Sequence, residues 1–138
     1  MAKHIIYNAS VTLNAVDLSD HCKKVEFTVE TNGQDAAAMA DIEDYEMPGT
    51  RKVSPITIEF YQDYAASKVH QTLIALWTAR TSFNVVVKPD SAAAASTNPQ
   101  FTVSCFLKSL PVVSGSRGDA HMASVTLQPA ALMTISAP

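Results

Sequence analysis

Glycine is scarce in this chain: 4 in 138 residues, none of them clustered. With no GxGxxG, no P-loop and no GxSxG, the sequence offers no cradle of backbone amides for a phosphate and no nucleophile elbow. Cysteine is also sparse. Cys22 and Cys105 lack a CxxC partner, which excludes a disulfide scaffold and leaves two isolated thiols, either joined to each other or free. Free, buried thiols in a reducing cytosol are the expectation. The four histidines, His4, His21, His70 and His121, sit at no metal-ligand spacing. Only His21-Cys22 places two ligand types side by side, and neighbours on a strand point to opposite faces. No metal or cofactor site and no catalytic residue is expected.

Charge is thin as well, at 17% of residues. No Lys/Arg cluster has the density of a nucleic-acid binder. No apolar run approaches the ~20 residues that span a bilayer, so no membrane binding by the chain itself is expected. The start of the chain lacks a long apolar signal region, so a soluble protein made in the cytoplasm is expected. Asp41, Glu43, Asp44 and Glu46 lack the spacing, central glycine and closing glutamate of a calcium loop, and read as a solvated acidic surface. Asn8-Ala9-Ser10 and Arg117-Gly118-Asp119 match a glycosylation acceptor and an integrin ligand, but neither carries meaning in a cytosolic chain.

What is present is β-pattern. The length suits one domain over 1–138. Val11–Leu13 alternates and is followed by a turn at 14–17 and one irregular turn at 18–22. Lys24–Glu30 alternates over seven residues, with Val25, Phe27 and Val29 on one face. Asn32-Gly33 then breaks the pattern, and periodicity is lost from Thr31 to Val53. A loop of about twenty residues is uncommon in a compact domain. Two readings stay open: a mobile surface loop, or a long hairpin or arm that orders on a neighbouring subunit. Pro48-Gly49 would supply a turn within it. Asp41, Glu43, Asp44, Glu46, Pro48, Gly49, Arg51 and Lys52 are the candidate arm residues.

Ile56–Phe60 is the next strand, running directly into Tyr61-Gln62-Asp63-Tyr64. Asp63 is the expected N-cap of one helix, about 64–78. Ala66, Val69, Leu73, Leu76 and Trp77 recur at helical spacing as an apolar stripe that should cover one face of a sheet. Phe83–Lys88, Phe101–Leu107 and Ala123–Gln128 are further strands, with Cys105 on an inward face, and the tail beyond Pro129 is expected to order only in an assembly. The fold class expected is mainly β: an antiparallel β-sandwich or barrel with one flanking α-helix and a long loop or arm.

The charge is divided. Residues 26–63 carry nine acids against Arg51 and Lys52, a balance of −7; the remainder carries four acids against eight bases, +4. Such a chain can dock acidic surface to basic surface on copies of itself.

Several segments resemble the major tail tube proteins of long-tailed bacteriophages, especially those of actinobacterial siphophages. They are Tyr7–Asn14, Val16–His21, Lys24–Phe27, Ile58–Ala66 and Val85–Pro89, so the resemblance spans nearly the whole chain. His21-Cys22, and Pro55 at a strand start, depart from the family's pattern. The resemblance implies a structural subunit of the virion tail, made in the host bacterial cytoplasm. Six copies would form a ring, and rings would stack into a hollow tube that guides ejected DNA without binding it specifically. The partners implied are further copies of the chain and other phage tail proteins. The segment 31–53 would reach across ring or subunit boundaries. Carboxylates on a lumen wall repel phosphates, and Glu26, Glu30 and Glu59, on polar strand faces, are the candidates for that wall. The alternatives are a tail terminator, the tube of a contractile or gene-transfer particle, or a monomeric β-sandwich binding module.

Overall fold

The computed structural model describes residues 5, 6 and 8–136; His4 and Tyr7 lie outside the described residues. Ten strands and one helix follow in the order β1 (Ser10–Leu13), β2 (Val16–Asp17), β3 (Cys22–Glu26), β4 (Val29–Asp35), β5 (Glu46–Val53), β6 (Ile56–Tyr61), α1 (Val69–Ala79), β7 (Phe83–Lys88), β8 (Gln100–Ser109), β9 (Met122–Pro129) and β10 (Thr134–Ser136). Seven strands hydrogen-bond in the order β2-β1-β7-β8-β9-β6-β3, and β10 joins the same sheet on β8. All its pairings are antiparallel. β4 and β5 form a separate two-stranded sheet.

Alternation builds the core. Leu13 pairs with Val85, and Val85 with Val103. Ile58 lies between Val25 and Val125, and Leu127 between Leu107 and Ile56. Period-two patterning puts these side chains on one face of the sheet. Leu13, Val85, Val103, Ile58, Val125, Leu127 and Ile56 are buried there, together with Phe60 and Cys105. α1 lies over this face and adds Val69, Leu73 and Leu76 to the same cluster. The apolar layer is thus closed by one helix, as the stripe required, with Leu18 filling beside it.

The helix starts later than the sequence suggested. Its first residue is Val69, and its N-cap position is Lys68, which makes no capping bond. Asp63 is occupied elsewhere. Its Oδ1 accepts from the Ala65 amide at 2.9 Å, its Oδ2 meets His21 Nε2 at 2.9 Å, and its carbonyl accepts from His70 N at 3.0 Å. A tertiary partner therefore takes the carboxylate that would have capped, and a left-handed residue, Ser67 (φ 61°), turns the chain before the helix begins. Ala66 falls in that turn, exposed. The stripe ends early too: Trp77 is 58% exposed. It lies next to the C-terminal turn, where Arg80 adopts a left-handed φ of 57° and its amide bonds back to Leu76 O.

The alternating run 24–30 is not one strand. β3 ends at Glu26 and β4 begins at Val29, in a different sheet. Val25 and Phe27 pack against the core, with the Phe27 ring 6.2 Å from that of Phe101, whereas Val29 is largely exposed. Asn32-Gly33 does not end the strand either; a register shift there bulges it. Pro48-Gly49 lies inside β5, opposite Gly33, rather than in a turn. Gly49 is needed at that spot because a Cβ would come within 2.7 Å of the Asn32 carbonyl oxygen. The tail past Pro129 is partly built into the single chain, since β10 pairs with Gln100–Thr102 of β8. The first hairpin turns through Asn14 and Ala15, both at positive φ, the two-residue geometry that follows strand twist.

Leu73 is fully buried under the sheet. Leu73→Ala should lower unfolding stability by about 2–5 kcal/mol in chemical denaturation; a loss below ~1 kcal/mol would mean that the helix does not close the core.

Candidate assembly surfaces

The segment 29–53 is an arm. β4 and β5 pair from Val29↔Val53 at the base to Asp35↔Glu46 near the tip, and residues 36–45 close the end. Local bonds shape that end: Asp35 Oδ1 accepts from Ala37 N at 3.1 Å, Asp41 Oδ2 from Ala38 N at 2.6 Å, and Tyr45 O from Ala36 N at 3.1 Å. At the base, Ser54 N donates to Thr28 O at 2.9 Å, and Val53 is buried. Every other residue of the two strands is exposed. A two-stranded ribbon alone is marginal in water. This one also exposes Met39, Ile42, Tyr45 and Met47 at or near its tip, with Met39 and Ile42 at full exposure.

Of the candidate arm residues, Asp41, Glu43 and Asp44 lie in the tip, and Glu46, Pro48, Gly49, Arg51 and Lys52 lie on β5. Lys52 pairs with Glu30 at 3.4 Å. Glu30 is therefore on the arm, held below its ordinary range first by Ser54 and then by Lys52. It does not share a surface with Glu26 and Glu59. The break at Phe27–Thr28 separates them, and sequence alternation could not reveal it.

Glu26 and Glu59 do come together, on the sheet face turned away from the core. Lys24 pairs in register with Glu59, Glu26 pairs with Thr57, and Lys24 Nζ is 3.0 Å from Glu26 Oε1. Thr57, Ser124, Thr126, Ser104 and Asn84 continue this face across β6, β9, β8 and β7 through the ladder. The face is polar near β3 but also carries Tyr61, Val86 and Phe106, and the edge strand β3 bounds it at one side.

A further cluster that sequence reading missed ties this sheet to the helix entry. His21 Nε2 donates to Asp63 Oδ2 at 2.9 Å. Its Nδ1 lies 2.9 Å from Asp20 Oδ1, an ion pair when the ring is protonated. Lys68 Nζ reaches Asp20 at 3.5 Å. These partners, Asp20 first and Asp63 next, raise the His21 pKa. Asp20 is lowered by His21, and Asp63 by the Ala65 amide and then by His21. His21 and Asp63 are 42 positions apart in sequence, and Asp20 and Lys68 further still, which leaves no local signal.

Among the described residues no set of three His, Cys, Asp or Glu side chains could hold a metal ion. Tyr64 stacks against His70 and His121, with ring centroids at 4.8 and 5.7 Å, and its hydroxyl donates to Val112 O at 2.9 Å. Both thiols are free; Cys105 is buried, which pushes its pKa up to about 11 and leaves it unreactive, while Cys22 is only half-buried. No helix among the described residues is long and apolar enough to cross a membrane.

No protein-family model and no curated protein matches this chain. Solved structures do match its fold. A chain in the tube-terminating cap of the anti-feeding prophage aligns over 100% of this chain and 93% of its own, with a TM-score of 0.75 and 14% identity. A chain of an extracellular contractile injection system's sheath–tube complex aligns over 99% and 93%, with a TM-score of 0.73 and 13% identity. A chain in the virion of a native gene transfer agent aligns over 94% and 96%, with a TM-score of 0.71 and 10% identity. At these identities the likeness establishes a shared fold: mainly antiparallel β with one helix, of the kind found in tail and tube assemblies.

The His21 cluster makes stability depend on pH. A pKa raised on folding stabilises fully below its unfolded value, about 6.5 for histidine, and that contribution is lost as pH rises through the folded value. The lowered Asp20 and Asp63 contribute above about 3.8 and lose it as pH falls through their folded values. The thermal midpoint difference between wild type and His21→Gln should therefore be larger at pH ~5.5 than at pH ~8.5. Equal differences at both would show that the imidazolium plays no part.

Proposed function

We propose that this chain is the structural subunit of a phage-type tail tube, joining six copies of itself into a ring and stacking rings into a hollow conduit for DNA ejection. The observation that carries the reading is the arm. It is a two-stranded ribbon with an apolar end, whose Met39 and Ile42 are fully exposed. A protein does not keep such a surface in water without a partner. The free edge at β3 gives a second reason to join copies, because pairing edges around a closed ring removes them. The fold shared with chains of tail and tube assemblies supports the same role.

In such a ring the polar face carrying Glu26 and Glu59 would line the lumen. Its carboxylates would repel the phosphates of passing DNA and prevent specific binding. Glu30, on the arm, belongs to contacts between subunits. Other tail proteins would cap the tube, and the finished tail would be part of the virion. A second reading, a tube or terminator of a contractile or gene-transfer particle, is favoured by the sources of the matching structures. A monomeric binding module would leave the arm without a use.

Negative-stain microscopy of the purified protein at high concentration should show rings or tubes. Replacing 36–45 by a two-residue turn should abolish them while the thermal midpoint stays close to that of wild type. Protein that remains monomeric at every concentration, with or without added tail components, would contradict the proposal. Glu26→Gln/Glu59→Gln should assemble normally but slow DNA passage in ejection assays; unchanged kinetics would remove the lumen assignment.

A further inference from the structure

Beside the base of the arm runs a groove with the opposite character to the arm's tip. Its main part, about 260 Å³, is walled largely by Val25, Phe27, Val87, Phe101 and Met133, with Lys88 at the rim. A second hollow, about 320 Å³, continues it past Ile6 and Ala9 to Lys23 and Lys24. The first hollow is thus apolar, the second adds Asn8, Ser19 and Cys22, and lysines stand at the edges of both. Lys24 shares its charge with Glu26, whereas Lys88 Nζ is held by a neutral carbonyl, Ala92 O, at 3.1 Å.

We propose that the groove receives the arm tip, residues 36–47, of a second copy of this chain; the inference rests on the tube reading above and names where one subunit holds the next. The tip combines exposed Met39 and Ile42 with the carboxylates Asp41, Glu43, Asp44 and Glu46, and no Lys or Arg occurs between Thr31 and Thr50. Apolar side chains flanked by acids meet an apolar floor flanked by bases. The tip also carries an internal conflict, since Asp35 and Glu46 stand directly opposite across the ribbon. Like charges so placed are destabilising, and nearby cations relieve them. The chain's own tip cannot fill its own groove: β4 extends seven residues from base to tip, about 20 Å at ~3.3 Å per residue. The pairing is therefore between copies, head to tail, and a contact of this kind propagates from one subunit to the next.

Charge reversal tests the fit. Lys23→Glu/Lys88→Glu on the rim, or Glu43→Lys/Asp44→Lys on the tip, should each raise the concentration for half-assembly at least about tenfold at low salt, by sedimentation. The four changes combined in one chain should bring it back to within about threefold of wild type. In a Cys22→Ser background, Ala9→Cys/Ile42→Cys should form a disulfide between chains in the assembled fraction. Losses that add rather than compensate, or a disulfide within one chain, would overturn the docking while wild-type rings and tubes leave the tube reading standing. A wild type that never assembles sinks the tube reading first, and this inference with it.

Discussion

Two strands alone cannot shield both of their faces from water. The ribbon of β4 and β5 has backbone partners only along its inner edges, and beyond Val53 it has no buried side chain. Net stability in a domain is a small remainder after chain entropy is met, so ordered residues that bury nothing are a cost. The rest of the molecule is arranged around that cost. The large sheet is complete without the arm, and the arm leaves it at one break, between Phe27 and Val29. The ribbon is therefore an appendage that buries almost nothing within the single chain.

The body that carries it depends on one closed apolar layer. Seven strands present their inward residues to a single helix, and Val69, Leu73 and Leu76 complete the cluster. The opposite face mixes polar residues with Tyr61, Val86 and Phe106, and the helix end leaves Trp77 exposed, lining one hollow with Phe106 and Arg80. The His21 cluster locks the turn before β3 to the link before α1, holding the edge strand and the helix entry in fixed relation.

Charge then sorts the surfaces. Carboxylates concentrate on the arm tip and, in smaller number, on the outer sheet face, whereas lysines gather along β3 and at the end of β7. Unlike charges held on separate surfaces of one chain favour docking in a fixed direction. A chain with few charged residues can do this only if their positions are specific.

Much was legible before any fold was known. Alternation marked β1, β6, β8 and β9, the β-branched run before Pro89 marked β7, and helical spacing found Val69, Leu73 and Leu76. The loss of periodicity at 31–53 and its acidity marked the arm as a segment apart, while leaving loop and hairpin undecided. Other features were hidden because they are settled by partners distant in sequence. Asp63 looked like a cap until His21 claimed its carboxylate. Val29 matched Val25 in pattern, but alternation does not say which sheet a strand joins. Trp77 continued the stripe past the point where there was sheet to cover. Local periodicity by itself determined which residues face inward and where the apolar layer lies, because burial on a strand or helix follows from its repeat. Only the tertiary structure decided where the chain leaves the sheet, which carboxylates share a surface, and that a basic groove stands beside the base of an acidic arm, because those depend on side chains brought together across the whole chain.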